Sequence, residues 1–390
     1  MTDKVFHQNS FELMKSDIEC GKFPGAVLLS GPEFSGKFTA ALEIARILSC
    51  IGDRSENCSC EFCRQHRTLS NMNVLVAGPR DCMLEILAMR DSVLQGFAPI
   101  AFVRAVHKLT SRFNQILWEE SGNSSKFSPV IESIEDELSK FDSAVLDSAK
   151  AEKICDSVVK DCQKLESFMY SSLPIDQVRG ASAWLRIRSS GGKKVFIIEN
   201  AERMLDAPKN ALLKILEEPP TDAAFILTTS KRGAMMQTIL SRVRIYPFCE
   251  RSEIQQKEIV GEVFHQNRFT TVSDCLYSFL PKTPSEVRSV AVKYYDAIRK
   301  GQIPGVDSVV KGCASFEPKI LFKSFLTGVE EACGDFASSS ATASLAKMNL
   351  DSIRECYNNV TVYNQSVPAA IERLTRDLAM NVRLFQVPRI

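Results

Sequence analysis

Gly31, Gly36 and Lys37 stand at the spacing of a phosphate-binding loop, with Pro32, Glu33, Phe34 and Ser35 between the glycines. Glycines let backbone N–H groups curl around a phosphate. A helix opening at the second glycine adds its partial positive charge. Lys37 would reach the outer phosphates. The motif next asks for a Ser or Thr hydroxyl to hold Mg²⁺, and the residue there is Phe38. Thr39 comes one place late, roughly 100° further round a helix. Three readings are open on these residues: a loop that keeps the fold without nucleotide, one that binds nucleotide without efficient turnover, and a competent ATP site.

A second position bears on the same chemistry. The apolar run Val195, Phe196, Ile197, Ile198 ends in Glu199 and Asn200. In P-loop ATPases the strand beside the loop ends in an acid that orders Mg²⁺. Glu199 offers that carboxylate with a longer reach. Asn200 cannot accept a proton and so cannot be the general base. Phe38 and Asn200 depart independently from a hydrolytic site, and in the same direction. Thr229, at the polar end of another apolar run, completes a degenerate nucleotide-contact set of Gly31, Gly36, Lys37, Thr39, Glu199, Asn200 and Thr229.

Cys50, Cys58, Cys60 and Cys63 form a different cluster. Four thiolates satisfy tetrahedral Zn²⁺ in a structural site. Ser59 is the whole spacer between Cys58 and Cys60, which strains chelation by both. His66 is the alternative ligand, and reduced cysteines without metal are the competing reading. No open ligand position or acid–base partner points to a catalytic metal. Arg179, Arg186, Arg188, Lys193 and Lys194 make a basic stretch. It suits phosphate contact or a plain solvated face.

These groups need elements to hold them. Residues 11–18 have a short helical pattern. Residues 26–29 are continuously apolar, as a buried parallel strand is, and end at Ser30 and Gly31. Gly36 then opens a helix with Ala40, Ala41, Ile44, Ala45 and Leu48 along one side. Further strands are expected at 74–76, 195–198 and 224–227, with a helix over 210–216 that Pro219 and Pro220 stop. Residues 83–172 read as a helical insertion, a hairpin or small bundle. Ile131, Ile134, Leu138, Phe141 and Val145 recur there at helical steps, and the polar run 121–125 divides it. From about Arg251 onward the pattern is helical, with Pro304 and Gly305 in a linker-like stretch. The expected division is an α/β core over 1–249 with its cysteine module at about 50–66, then helical domains over 250–303 and 304–390.

Bulk properties narrow the classes. The 390 residues suit two or three domains. The formal net charge of +1 rules out a global attraction to nucleic acid, so any DNA contact must be local or shared. No run approaches the roughly 20 apolar residues of a membrane span. The first dozen residues lack the apolar run of a secretory leader, and the expectation is a cytoplasmic protein without a membrane partner. The remaining cysteines among the thirteen, at 20, 82, 155, 162, 249, 275, 313, 333 and 356, are expected to be small buried hydrophobes. Paired metal-binding acids of the kind used in two-metal polymerase chemistry are not evident.

Several runs resemble the clamp-loader subunits of bacterial DNA polymerase III, an AAA+ family. They are residues 24–32, 175–179 (Ile175 to Arg179), 194–204, 210–220 (Asn210 through Leu216, Glu217, Glu218, Pro219 and Pro220) and 238–242 (Thr238 to Arg242). They are most similar to delta-prime subunits, with gamma/tau next. The resemblance covers about 1–82 and 173–249, and extends weakly to Tyr363, Asn364, Gln365 and residues 368–378. It implies a P-loop NTPase-like core with a parallel sheet and helical insertion, followed by an all-helical lid and collar. It implies a ring with gamma/tau and delta subunits that acts on a sliding clamp at primed DNA. It also implies that Arg242, after Ser241, is an arginine finger for the neighbouring subunit's ATP; Val243 stands where the family usually has Cys. A four-cysteine zinc module is expected at Cys50–Cys63, although the family usually has two residues where Ser59 stands alone. The helix carrying Arg179 and Arg186, with Lys193 after it, is expected near the DNA chamber. The implied role is a stator with little or no ATP turnover of its own. The rivals are an active gamma/tau-type ATPase and a zinc-dependent nucleic-acid-binding module on a P-loop scaffold.

Overall fold

A computed structural model describes residues 5–119, 122, 124–142, 148–189, 191–316, 320–334, 340–361, 363 and 365–386. Asn364 and Val145, named above, lie outside these residues. Contacts divide the chain into two compact units, Met1–Leu276 and Tyr277–Ile390.

The first unit is built on five parallel strands: β1 (Ala26–Ser30), β2 (Val74–Ala77), β3 (Lys194–Ile198), β4 (Ala223–Thr229) and β5 (Arg244–Pro247). Their order is β2-β3-β4-β1-β5. The register sets Ala26 against Phe225, Val27 against Arg244, Val74 against Val195 and Phe196 against Phe225. β3 and β4 are buried along their whole length. That is why their sequences read as unbroken apolar runs and do not alternate. The helix Lys37–Ser49 covers one face, packing Ala41, Ile44, Ala45 and Leu48 into a core with Val27, Ile197 and Ile226. The helix Asn9–Glu19 adds Phe11, Met14 and Ile18.

The segment from 83 to 172 is a helical bundle: Met83–Leu94, Ile100–Thr110, Gln115–Trp118, Ser124–Ser139 and Ser148–Glu166. The stripe Ile134, Leu138 and Phe141 is buried as its period requires. Phe113 stacks on Trp118, and Phe127 packs against both at ring-centroid distances of 5.0 Å. The polar divider is shorter than the sequence suggested, because Ser124 and Ser125 already belong to a helix.

The second unit is helical: Pro284–Arg299, Val306–Gly312, Ile320–Gly334, Ser340–Thr361 and Val367–Gln386. Thr283 caps the first of these through a reciprocal bond with Glu286. Gly328 brings two helices close; a Cβ there would sit 2.8 Å from that of Ala291. Tyr294 bonds Thr375, and Asn349 donates to Tyr295 and accepts from Asn381, so the buried polar groups pair with one another. Pro304 and Gly305 lie between two of these helices.

All thirteen cysteines are free thiols. The expectation that the scattered ones are buried needs correcting for Cys20 and Cys249, which are exposed. Cys20 follows the end of the helix Asn9–Glu19, and Cys249 follows β5, where each chain end leaves the core. Among the described residues, no helix is long and apolar enough to cross a membrane.

Candidate nucleotide cleft, cysteine cluster and exposed arginine

The loop between β1 and the helix Lys37–Ser49 is glycine-dependent at two points. A Cβ at Gly31 would lie 2.2 Å from the Phe248 carbonyl oxygen. Gly36 has φ +84°, the left-handed region that favours glycine, and a Cβ there would lie 2.6 Å from Arg251 Nη2. Side chains already engage several of the loop's carbonyl groups. Lys37 Nζ donates to the carbonyl oxygens of Gly31 at 2.8 Å and Pro32 at 2.5 Å, and to Ser35 Oγ at 3.2 Å. Arg251 donates to the Phe34 carbonyl at 2.9 Å, and Gln8 to that of Ser35 at 3.1 Å. Burial pushes Lys37 down to about 8, against the pull of Glu199, Glu202 and Glu33.

Glu199, at the end of β3, is 6% exposed and carries two ion pairs. Arg80 Nη1 donates to Oε1 and Arg112 Nη2 to Oε2, each at 2.5 Å. Arg112 is fully buried and also donates to the Gly78 carbonyl at 2.9 Å. Arg80 continues to Glu85 at 2.9 Å, and Glu85 to Lys108 at 2.6 Å. The result is a row of alternating charge: Lys108, Glu85, Arg80, Glu199, Arg112. Burial works against the charged form of Glu85, but Lys108 and Arg80 outweigh it and hold the carboxyl down to about 2. Burial likewise opposes ionisation of Glu199, and Arg80 and Arg112 hold it below the usual carboxylate range. Phe38 is buried beneath this row, its ring 4.9 Å from the Arg80 guanidinium and 5.3 Å from that of Arg112. These are cation–π distances.

Asn200 has its own structural reason. Its φ is +52°, a conformation Asn tolerates better than most residues, and its amide donates to the Pro79 carbonyl at 2.8 Å. It therefore ties the end of β3 to the loop after β2. Thr229 is buried beside the loop, paired in register with Ser30, and its hydroxyl accepts from Lys231 N. Thr39 lies one step beyond Phe38 and is half-buried.

Residues suited to Mg²⁺–nucleotide fit poorly here. Phe38 offers no oxygen, Glu199 has both oxygens bound to guanidinium groups, and Lys37 is turned into its own loop. Arg80, Arg112 and Arg251 carry the arrangement, and sequence reasoning missed all three. Arg112 sits inside the insertion without a motif to flag it.

The cysteine cluster is assembled. The Sγ atoms of Cys50, Cys58, Cys60 and Cys63 all lie within 4.8 Å of one another, a set that could hold a metal ion. Cys50 Sγ is 3.6 Å from that of Cys58 and 3.7 Å from that of Cys60. The single-residue spacer therefore does not keep Cys58 and Cys60 apart, and His66 is not a member of the group. Gly52 makes room: a Cβ there would meet Cys58 Sγ at 2.6 Å. Arg46, buried and paired with Glu43, donates to Cys63 Sγ at 3.4 Å and to the carbonyls of Arg54 and Ser55. Burial pushes the Cys50 and Cys63 thiols up. At Cys60 the N–H groups of Cys63 and Ile51 outweigh burial and bring the thiol down to about 6.

Arg242 follows the short helix Gln237–Leu240 and precedes β5. It is exposed, with Nη2 2.8 Å from Glu217 Oε1 and Nη1 2.9 Å from the Thr238 carbonyl. Ser241 donates to the same carbonyl. Val243 is buried, so the departure from Cys falls on packing and leaves the charge alone. β5 runs parallel to β1. Arg242 therefore stands before the N-terminal end of the sheet, while the glycine loop follows the C-terminal end of β1.

The basic stretch divides. Arg179 and Arg186 share the helix Ile175–Arg186 and line an open groove of about 640 Å³ with Ile175, Ala211, Lys214 and Ile215. Lys214 was not foreseen, because it comes from another helix. Lys193 is half-buried next to β3. Lys194 is buried and donates to the carbonyls of Trp184 and Ile187, so it is part of the core.

Comparison with known proteins gives a consistent kinship. A family model described as "DNA polymerase III, delta subunit" matches residues 122–252. The delta-prime subunit of DNA polymerase III from Bacillus subtilis is 26% identical over 171 residues, 38% of this chain and 51% of that one. The delta-prime subunit from Escherichia coli is 38% identical over 77 residues, 20% of this chain and 23% of that one. A gamma/tau subunit from Mycobacterium bovis is 46% identical over 84 residues, 22% of this chain and 14% of that one. The alignments thus span at most about half of these relatives' lengths. A crystal structure of a DNA polymerase III gamma subunit-related protein from Thermotoga maritima aligns over 96% of this chain and all of its own. It does so at 14% identity and a TM-score of 0.37, too loose to bear an argument. The similarity to delta-prime subunits carried by the sequence motifs is borne out, and the expected parallel α/β core with helical additions is present.

Proposed function

We propose that this chain is a clamp-loader-type subunit of a DNA polymerase III assembly, one that turns over little or no ATP and lends Arg242 to the ATP site of a gamma/tau neighbour. The observation that carries the reading is the placement of Arg242: it is exposed at the strand end away from its own phosphate loop, and so is available in trans. A cation brought to a transferring phosphoryl group stabilises the charge that develops there. Glu217 and the Thr238 carbonyl hold the guanidinium before a partner arrives, which lowers the cost of ordering it.

The chain's own cleft supports the other half of the reading. It has no base at Asn200, no hydroxyl at position 38, and no free oxygen on Glu199. The likeness to gamma/tau subunits keeps an active ATPase as the alternative; tight Mg²⁺–ATP binding with turnover by the isolated chain would favour it. Residues 250–303 then serve as a lid and 304–390 as the collar that joins gamma/tau and delta subunits. The ring acts on a sliding clamp at primed DNA. Arg179, Arg186 and Lys193 are the candidate phosphate contacts, with Lys214 on the same groove as the first two. A structural Zn²⁺ on Cys50, Cys58, Cys60 and Cys63 fixes the turn after the first core helix. Elemental analysis should find one zinc per chain, and Cys60→Ser should lose it.

The decisive test is ATPase turnover of a reconstituted loader with clamp and primed DNA, comparing the wild type with Arg242→Ala after equal assembly is verified. A fall of tenfold or more, about 1.4 kcal/mol of barrier per tenfold, supports the trans arginine. Unchanged turnover removes that role.

A further inference from the structure

We infer that Arg80 and Arg112 have taken over the place of the metal ion in the phosphate-loop cleft, and that through Arg112 the helical insertion is locked onto the ends of β2 and β3. The inference rests on the P-loop type of core and not on the assembly role proposed above, and its tests use the isolated full chain.

Three observations converge. First, both oxygens of the acid that ends β3 are already engaged by fixed cations, so a metal ion there would meet two positive charges. Each Glu199 oxygen accepts a 2.5 Å bond from a guanidinium, and the side chain is 8% exposed. A divalent ion would have to displace two charge-assisted pairs in a desolvated pocket, where such pairs are strong. Second, Phe38 is the floor on which both guanidinium groups lie. A Thr or Ser there would leave two cations over a polar hydroxyl that itself attracts a metal. The aromatic ring instead favours planar cations. The change at position 38 and the presence of two arginines are therefore one adaptation. Third, the second guanidinium comes from the insertion. Arg112 is in the turn after the helix Ile100–Thr110, and its own carbonyl accepts from Trp118 Nε1 at 2.8 Å. Its head reaches Glu199 and the Gly78 carbonyl together. Glu85 and Lys108, also from the insertion, extend the row through Arg80. At this same point Gly78 (φ +106°) passes so close to β3 that a Cβ would lie 2.1 Å from the Glu199 carbonyl oxygen. The insertion is thus keyed to the cleft by charge where β2 and β3 end side by side.

This differs from a cleft that has merely lost its metal ligands. A lost site leaves an acid exposed or replaced. Here the acid is retained and neutralised by the protein's own fixed cations, and so is the geometry around it.

Two measurements test this. In the first, the full chain is titrated with Mg²⁺ alone, and with Mg²⁺ plus ADP, while the thermal midpoint is followed. No Mg²⁺-dependent rise is expected up to millimolar concentrations. A rise that needs Mg²⁺ and is abolished by chelator would overturn the replacement of the metal. The second follows backbone hydrogen exchange in Arg112→Met and in Arg112→Met with Glu199→Gln. Arg112→Met should speed exchange at least tenfold across the insertion and at residues 78–80, with β1 and β4 little changed. Adding Glu199→Gln should recover part of that protection, because the neutral amide no longer leaves a half-paired charge buried. Unaltered exchange in Arg112→Met, or a double variant worse than either single one, would defeat the lock. If Arg112→Met fails to fold, recovery of folding by the added Glu199→Gln supports the pairing, and its absence counts against it.

Discussion

Arg112 and Arg242 carry the same guanidinium in opposite settings. Arg112 is fully buried, shares Glu199 with Arg80, and bonds a strand-end carbonyl. Arg242 is exposed and leans on the partly solvated Glu217. Solvent screens the second pair and leaves the first unscreened. The contrast separates an arginine that holds the fold from one the fold can lend. A guanidinium consumed by its own protein cannot serve a neighbour. One tied by a surface pair worth less than about 1 kcal/mol can be released on contact.

The contrast is breakable by substitution. Arg112→Ala leaves one side of a buried carboxylate unpaired and should cost about 3–5 kcal/mol in urea unfolding; a loss below about 1 kcal/mol would mean that the cleft rearranges or admits water. Acid comes next. Glu85 ionises well below its ordinary 4.5 in the folded chain, at about 2, so its contribution is complete above pH 4.5 and is lost as pH falls toward 2. Roughly 3 kcal/mol of stability should disappear in that window, and Glu85→Gln should flatten it. Glu217→Ala should cost about 1 kcal/mol or less. Its effect should appear instead as slower turnover of the reconstituted loader, through a less ordered Arg242. Arg242→Ala should change unfolding stability by about 0.5 kcal/mol or less; a larger loss would make it a structural residue and erase the comparison.

The strands and the loop were legible because their physics is local. A doubly covered parallel strand must be apolar through its length of burial apart from its ends, as residues 195–198 of β3 and 223–227 of β4 are, and the glycine loop must keep Gly31 and Gly36 where Phe248 and Arg251 press against it. Cys50 to Cys63 was legible by spacing, and Gly52 leaves the room that Cys58 Sγ occupies beside it. The row from Lys108 to Arg112 was not legible. Its members are scattered from position 80 to 199, and an arginine in a helical turn announces nothing until the fold brings it to Glu199. Asn200 was read as a lost base, which left unseen its left-handed backbone and its bond to Pro79.

The neighbours β2 and β3 are joined directly in the sheet, yet the whole insertion intervenes between Ala77 and Lys194. Closing so long a loop costs chain entropy, but the cost grows only logarithmically with length and falls if the insertion collapses first. A bundle that forms early would deliver its two ends close together and shorten the search for that strand pair. The time order of folding would then run inward from the insertion, with the β2–β3 pairing completed last.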